Sequence, residues 1–285
     1  MATLYLDDLE ITGLTDLDHF DIPLQGLLPD ASEEALSGID WLGRDAFSDG
    51  ILHLKIRSWL LKIGGRVILI DTCVGAHKER PLRPDWHRRD GTEWPAALAA
   101  AGIGPADVDV VMCTHLHADH VGWNTRLEDG RWIPTFPNAR YVCARDEYRF
   151  WEGEHQAGRE KHGVFADSVL PVVEAGFMDL VDDGYDLARG LTLHAAPGHT
   201  PGHMCIHAKQ GPGAVFSGDA IHTPLQLAYP DWSSAFCTDP DQARRTRQNL
   251  LQDLADTGRL LIPAHFPDPG WTTIARSQTG FRPLS

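Results

Sequence analysis

Basic residues are in short supply. The 285-residue chain carries 25 Lys and Arg against 40 Asp and Glu, a formal charge of −15. Affinity for a nucleic-acid backbone comes largely from clustered Lys and Arg, so that class of partner is disfavoured. Cysteine is sparse as well: there are five, scattered and odd in number, with no Cys-x-x-Cys pair. Such usage fits buried free thiols in a reducing compartment better than a disulfide framework. No apolar run approaches the length of a membrane span. The first residues, Met1-Ala2-Thr3-Leu4-Tyr5-Leu6-Asp7-Asp8, lack the basic head and apolar core of a secretory signal. The expectation is a cytoplasmic chain with no membrane partner. Neither a Pro/Ser linker nor an internal repeat interrupts it, which argues for one domain over residues 1–285. An apolar content of 42% is ordinary for a globular chain long enough to bury its own core.

What the sequence does have is one dense cluster of metal-capable side chains. Val108 to Cys113 is an apolar, β-branched run that reads as a buried strand. Four donors follow within six residues: His115, His117, Asp119 and His120. In extended backbone His115 and His117 project to one side. Asp119 and His120 are neighbours and must diverge, which suits two adjacent ions better than one. Asp119 ahead of Val121-Gly122 also reads as a helix beginning. Three imidazoles and a carboxylate are the ligand set of zinc and similar divalent ions. Coincidence accounts for single histidines in a chain that has fifteen, but not for four donors packed behind one strand.

His-x-His-x-Asp-His after a strand resembles the signature of the metallo-β-lactamase-fold hydrolases. Further blocks match in order: Val67-Ile68-Leu69-Ile70-Asp71-Thr72, Gly198-His199-Thr200-Pro201-Gly202-His203, Phe216-Ser217-Gly218-Asp219 and Leu260-Leu261-Ile262-Pro263-Ala264-His265. The resemblance covers nearly the whole chain. It implies an α/β fold, a four-layer αβ/βα sandwich with the site at one edge, which periodicity alone does not give. It also implies that His115, His117 and His199 hold one ion, that Asp119, His120 and His265 hold a second, and that Asp219 bridges them. Asp71 becomes a residue that orients a ligand, and His203 a structural neighbour.

On the same grounds the expected activity is hydrolysis of a small ester, a lactone first, by a hydroxide bridging two divalent ions. Zinc is preferred because imidazole dominates the set, while manganese, iron and cobalt stay open. Asp119 is expected to hold or accept the proton of the nucleophile. The Gly-Asp block followed by an aromatic loop, then Ala-His-Phe-Pro-x-Pro-Gly, is similar to methyl parathion hydrolase and to acyl-homoserine lactonases. Those lactonases carry a Tyr three residues after the bridging aspartate. His222 stands there in this chain, either donating to a substrate or leaving-group oxygen or standing by. The alternative activity is that of a phosphotriester or aryl-ester hydrolase, and behind it a non-hydrolytic metal-binding or redox protein of the same fold.

The remaining expectations are local. Residues 3–14 read as one strand, and 51–63 with 66–73 as a hairpin around Gly64-Gly65. Residues 17–50 lack periodicity and read as a lid, a surface loop over core, or a homodimer contact. Residues 76–92 carry Lys78, Arg80, Arg83, Arg88 and Arg89 and read as a solvated loop or one that steers an anionic substrate. Thr92 caps a helix over 93–101, further helices begin at Asp146 and span 168–176, and Asp239-Pro240-Asp241-Gln242 opens another. The loop over 220–238, with Leu225, Leu227, Tyr229, Trp232 and Phe236, is a candidate substrate wall.

Overall fold

The computed structural model describes residues 2–284. Its contacts divide the chain into two compact units, Met1–Leu17 with Ile56–Asp183, and Asp18–Lys55 with Gly184–Ser285.

The first unit is built on strands β1 (Thr3–Leu6), β2 (Leu9–Pro23), β4 (Ile51–Ile63), β5 (Arg66–Ile70), β6 (Val110–Met112), β9 (Arg140–Ala144) and β10 (Met178–Val181), hydrogen-bonded in that order; the short β3 (Phe47–Ser48) pairs with β4. The chain changes unit inside β2 and again inside β4. Strands β5, β6, β9 and β10 run parallel. Parallel neighbours need crossovers, which here carry α3 (Glu93–Ala100), then α4 (Arg145–Gln156) and α5 (Leu170–Glu174). Burial on both faces explains why β6 and most of β9 are unbroken apolar runs. A small hairpin, β7 (Thr125–Glu128) and β8 (Arg131–Pro134), follows the histidine-rich loop.

In the second unit, α1 (Leu24–Leu27) and α2 (Glu33–Leu36) punctuate an otherwise irregular stretch. A five-stranded sheet follows in sequence order: β11 (Asp186–Ala188), β12 (Leu191–Ala195), β13 (Met204–Ala208), β14 (Ala214–Gly218) and β15 (Leu260–Pro263). Between β14 and β15 come α6 (Leu225–Ala228) and α7 (Pro240–Leu254), and β16 (Thr273–Arg276) with β17 (Phe281–Leu284) closes the unit. Val215 and Leu261 of the sheet, Leu227 of α6, Leu251 and Leu254 of α7, and Ile274 and Phe281 of the last hairpin share one core. Asp239 caps α7 as the sequence predicts, its carboxylate accepting the Gln242 N–H at 2.9 Å.

Several local expectations are corrected. Residues 3–14 are two strands, because Asp7 takes a left-handed φ of 51° and turns the chain at Asp7-Asp8. No α-helix begins at Asp119; a single 3₁₀ turn, Gly122–Asn124, follows instead. Thr92 sits in helical backbone and makes no side-chain cap. Helical turns around 168–176 divide into a π-helical turn, Phe165–Val169, and α5. Leu225 and Leu227 are fully buried core, not an open wall.

The largest correction concerns the basic stretch. Lys78 and Arg80 are neither solvated nor offered to substrate: both are fully buried. Arg80 grips the Asp167 carboxylate with both terminal nitrogens, at 2.7 and 2.8 Å. Lys78 donates to Thr125 Oγ1 at 2.6 Å and to the Asp167 carbonyl at 2.9 Å, with its ammonium 3.6 Å from the centre of the Trp132 ring. Burial pulls the Lys78 ammonium down to about 7, against the pull of Asp167. Asp167→Asn should therefore cost about 3–5 kcal/mol, the usual cost of stranding a buried charge. Urea unfolding would show this as a lower midpoint at unchanged slope, and a loss below about 1 kcal/mol would show that water reaches these groups.

Candidate metal centre

In the first unit the donors sit just past the end of β6, held by the residue that follows β5. Parallel pairing sets Ile70 beside Met112, so Asp71 emerges next to the histidine loop. Asp71 adopts a left-handed φ of 58°, a conformation Asp tolerates better than most residues. Its buried carboxylate accepts the Thr114 N–H at 2.7 Å, the Thr114 hydroxyl at 2.8 Å and the His120 Nδ1–H at 2.8 Å. The last bond fixes the His120 tautomer and makes Nε2 the nitrogen that could ligate a metal, the carboxylate–histidine arrangement typical of metal sites. Because the Thr114 hydroxyl proton is committed to Asp71, Thr114 Oγ1 accepts from His115 Nδ1 at 3.1 Å. His115 Nε2 is then the nitrogen that lies 3.1 Å from His117 Nδ1. Asp119 Oδ2 is 3.6 Å from His120 Nε2. His115 and His120 are buried, while His117 and Asp119 keep part of their surface.

Backbone packing holds this loop. Thr72 N donates to His120 O at 2.6 Å, and Gly122 N to Cys73 O at 2.7 Å. Any Cβ on Gly122 would lie 1.9 Å from the Val74 carbonyl oxygen, so only glycine fits. Two groups that sequence reasoning passed over also act here. Glu147 of α4, fully buried, accepts the Leu116 N–H at 2.9 Å and the Trp151 indole N–H at 2.7 Å. Trp151 in turn stands edge-on to His117, ring centres 5.4 Å apart. A carboxylate four residues before a Trp on the inner face of a helix was the available signal. Cys113 is no nucleophile, since burial pushes its thiol up to about 12.

The second unit surrounds one carboxylate with imidazoles. Asp219 follows the end of β14 and is buried. Its Oδ1 lies 3.0 Å from His265 Nε2, and its Oδ2 lies 3.4 Å from His199 Nε2 and 3.2 Å from His222 Nε2. His203 Nε2 accepts the Asp219 N–H at 3.0 Å, the structural role expected of it. His265 follows β15 and donates Nδ1–H to the Lys55 carbonyl at 2.8 Å. His199 lies in the turn between β12 and β13. Gly198, at φ 128°, lets that turn approach α7 so closely that a Cβ would meet Ala243 N at 2.1 Å. The aromatic loop is internally tied: Tyr229 and Trp232 stack at 4.1 Å, and the Tyr229 hydroxyl donates to the Ala35 carbonyl at 2.5 Å. Part of the 17–50 segment is thereby pinned to that loop.

These donors fit divalent metal. With Nδ1–H committed to the Lys55 carbonyl, His265 turns Nε2 toward a carboxylate oxygen. Two facing lone pairs at 3.0 Å repel unless a proton or a cation lies between them. Donor atoms about 2.0–2.2 Å from one ion stand roughly 3.0–3.4 Å apart along a coordination edge, and the contacts of Asp219 fall in that range.

Comparison with known proteins agrees. The description "Metallo-beta-lactamase superfamily" matches residues 54–265. The N-acyl homoserine lactonase AttM of Azorhizobium caulinodans is 30% identical over 190 residues, which span 64% of this chain and 66% of that protein. An N-acyl homoserine lactonase of Bacillus thuringiensis is 24% identical over 61% of this chain and again 66% of the relative. The chain thus spans just under two thirds of the length of these curated relatives. Among solved structures, a hydrolase named AbOPH of the beta lactamase superfamily superposes with a TM-score of 0.81 at 24% identity, covering 99% of this chain and 97% of that one. AidC, a dizinc quorum-quenching lactonase in complex with a product, gives 0.79 at 23% identity over 99% and 96%. At such identities the superpositions speak for the fold, the mixed α/β architecture expected. With the family's description matched over most of its length, the chain belongs to the metallo-β-lactamase superfamily.

Proposed function

We propose that this protein is a metal-dependent hydrolase that opens lactones, N-acyl homoserine lactones foremost, using two divalent ions. The observation that carries the reading is the Asp219 carboxylate set 3.0–3.4 Å from three buried imidazoles, an arrangement that calls for a cation. The substrate class is supported by the relatives, named N-acyl homoserine lactonases. In this reading His115, His117 and His199 hold one ion, Asp119, His120 and His265 hold the other, and Asp219 serves both. Zinc is the proposed metal, given a donor set of mostly imidazole.

Bound ions of this kind supply Lewis acidity and ionise water near neutral pH. The protein's own part is orientation and proton handling. Asp71 and the Lys55 carbonyl fix His120 and His265 with Nε2 unprotonated. Asp119, partly exposed, accepts the proton of the attacking water. Opening of the ring adds the water oxygen to the acyl carbon and breaks the acyl C–O bond; the alkoxide takes up one of the two water protons, the other is released, and the product is a single molecule bearing a hydroxyl and a carboxylate.

A panel of N-hexanoyl homoserine lactone, an aryl ester and an aryl phosphotriester, assayed with zinc- and manganese-loaded protein, tests the substrate. Ring opening should be fastest; hydrolysis of the phosphotriester or aryl ester without the lactone would overturn the assignment. His265→Ala should lower bound metal from about two ions per chain to about one and cost lactonase activity at least about 100-fold. Full metal content with unchanged turnover would remove His265 from the ligand set. Asp71→Asn should weaken metal binding by about 10–100-fold, because the amide no longer accepts from both Thr114 and His120; competition with a chromogenic chelator reads this directly.

A further inference from the structure

His222 is a buried imidazole whose ring nitrogens make no hydrogen bond among the described residues. Its side chain is 3% exposed. Nε2 lies 3.2 Å from Asp219 Oδ2, yet without the direction of a hydrogen bond. The residue has not drifted there. Its N–H donates to Gln226 Oε1 at 2.7 Å, and the Gln226 amide, itself fully buried, donates to the Trp232 carbonyl at 2.8 Å. This short relay anchors the backbone while the ring is directed at the carboxylate. The ring centre is 4.8 Å from that of His199 and lies nearly parallel to His265 at 6.0 Å. One donor atom each from His199, Asp219 and His222 falls within 4.8 Å of the others, and all three residues are buried.

We propose that His222 is itself a metal ligand, through Nε2, of the ion held by His199 and the Oδ2 side of Asp219. The inference rests on the two-ion reading above. A 3.2 Å separation from Oδ2 without hydrogen-bond geometry is what two donors on adjacent corners of one coordination sphere show. His199 Nε2 stands 3.4 Å from the same oxygen, which places the two imidazoles on one side of the carboxylate. A nitrogen that holds an ion has no proton to give, so this role replaces proton donation by His222 to a leaving group. It also gives that ion one protein donor more than the seven-residue plan allows, leaving it less room for solvent than its neighbour. The two ions are then unequal, and the one bound by Asp119, His120 and His265 keeps the more open sphere for substrate.

The test uses intact protein loaded with cobalt(II), for wild type, His222→Ala and His222→Gln. Ligating imidazoles in such protein give strongly shifted, exchangeable ring N–H proton resonances. Loss of one such resonance in both variants, a changed visible cobalt spectrum, and at least about tenfold weaker binding of a single ion are the expected results. A neighbour that only packs against Asp219 would leave the number of shifted resonances unchanged. Should both variants keep the wild-type resonances and spectrum while taking up two ions, His222 is no ligand and the two-ion reading survives. A wild-type chain that takes up no second ion overturns both. Far-UV circular dichroism of the variants confirms that they fold, and the glutamine variant, which keeps most of the side-chain volume, guards against a cavity effect.

Discussion

Everything at this site depends on the cost of burying a carboxylate among imidazoles. Asp219 is almost wholly removed from water. An ionised carboxylate in such a place requires compensating charge or several donors, and an imidazole whose only proton is committed elsewhere offers neither. His265, whose Nδ1 faces the Lys55 carbonyl, is such a group. The protein has set lone pairs against one another at coordination-edge distances. A divalent cation between carboxylate and imidazoles would supply the compensating charge. Hence Lys55 O and His203 matter to the Asp219 cluster as Asp71 and Thr114 matter to the histidine loop. Asp71, Thr114 and Lys55 O each remove the choice of tautomer from an imidazole, and His203 holds the Asp219 backbone.

Backbone geometry is subordinate to that requirement. Asp71 and Cys73 accept left-handed conformations so that the chain leaving β5 folds back over the loop leaving β6. Gly122 and Gly198 occupy the two places where backbone meets backbone too closely for any side chain. A cost of this size persists only when the surroundings over-determine it. Here they do: buried parallel strands carry the turn after β5, a buried antiparallel pair carries the Gly198 turn, and hydrogen bonds such as Thr72 N to His120 O and Asp239 N to Gly198 O close them. The Arg80–Asp167 pair and the Lys78 ammonium above Trp132 brace the segment that follows β5.

The family pattern was legible because metal ligation is local in sequence at its densest point. His115, His117, Asp119 and His120 lie within six residues, and a strand had to precede them for the spacing to work. Strand ends supplied the rest, since an apolar run followed by Asp or His is visible without coordinates. The basic run at 76–92 was misread for the opposite reason: charge on a loop looks solvated until its counter-charge, Asp167, arrives from 87 residues further on. Glu147 was missed in the same way, its partners being a main-chain N–H in another element and an indole on its own helix. Asp7-Asp8 hid a turn because two aspartates carry a weaker turn signal than Asn-Gly.

By itself, then, the sequence determined the composition of the centre: which imidazoles and carboxylates exist, in what order, and behind which buried strands. That much follows from chemistry written into side chains and from the period-two and apolar-run patterns that mark strands. Tertiary structure alone decided which nitrogen of each histidine faces inward, which lysine and arginine vanish into a salt-bridged interior, and that His222 turns a bare ring toward Asp219. Those outcomes depend on partners tens or hundreds of residues away, such as Lys55 for His265, and no local pattern encodes a hydrogen bond whose other half lies that far along the chain.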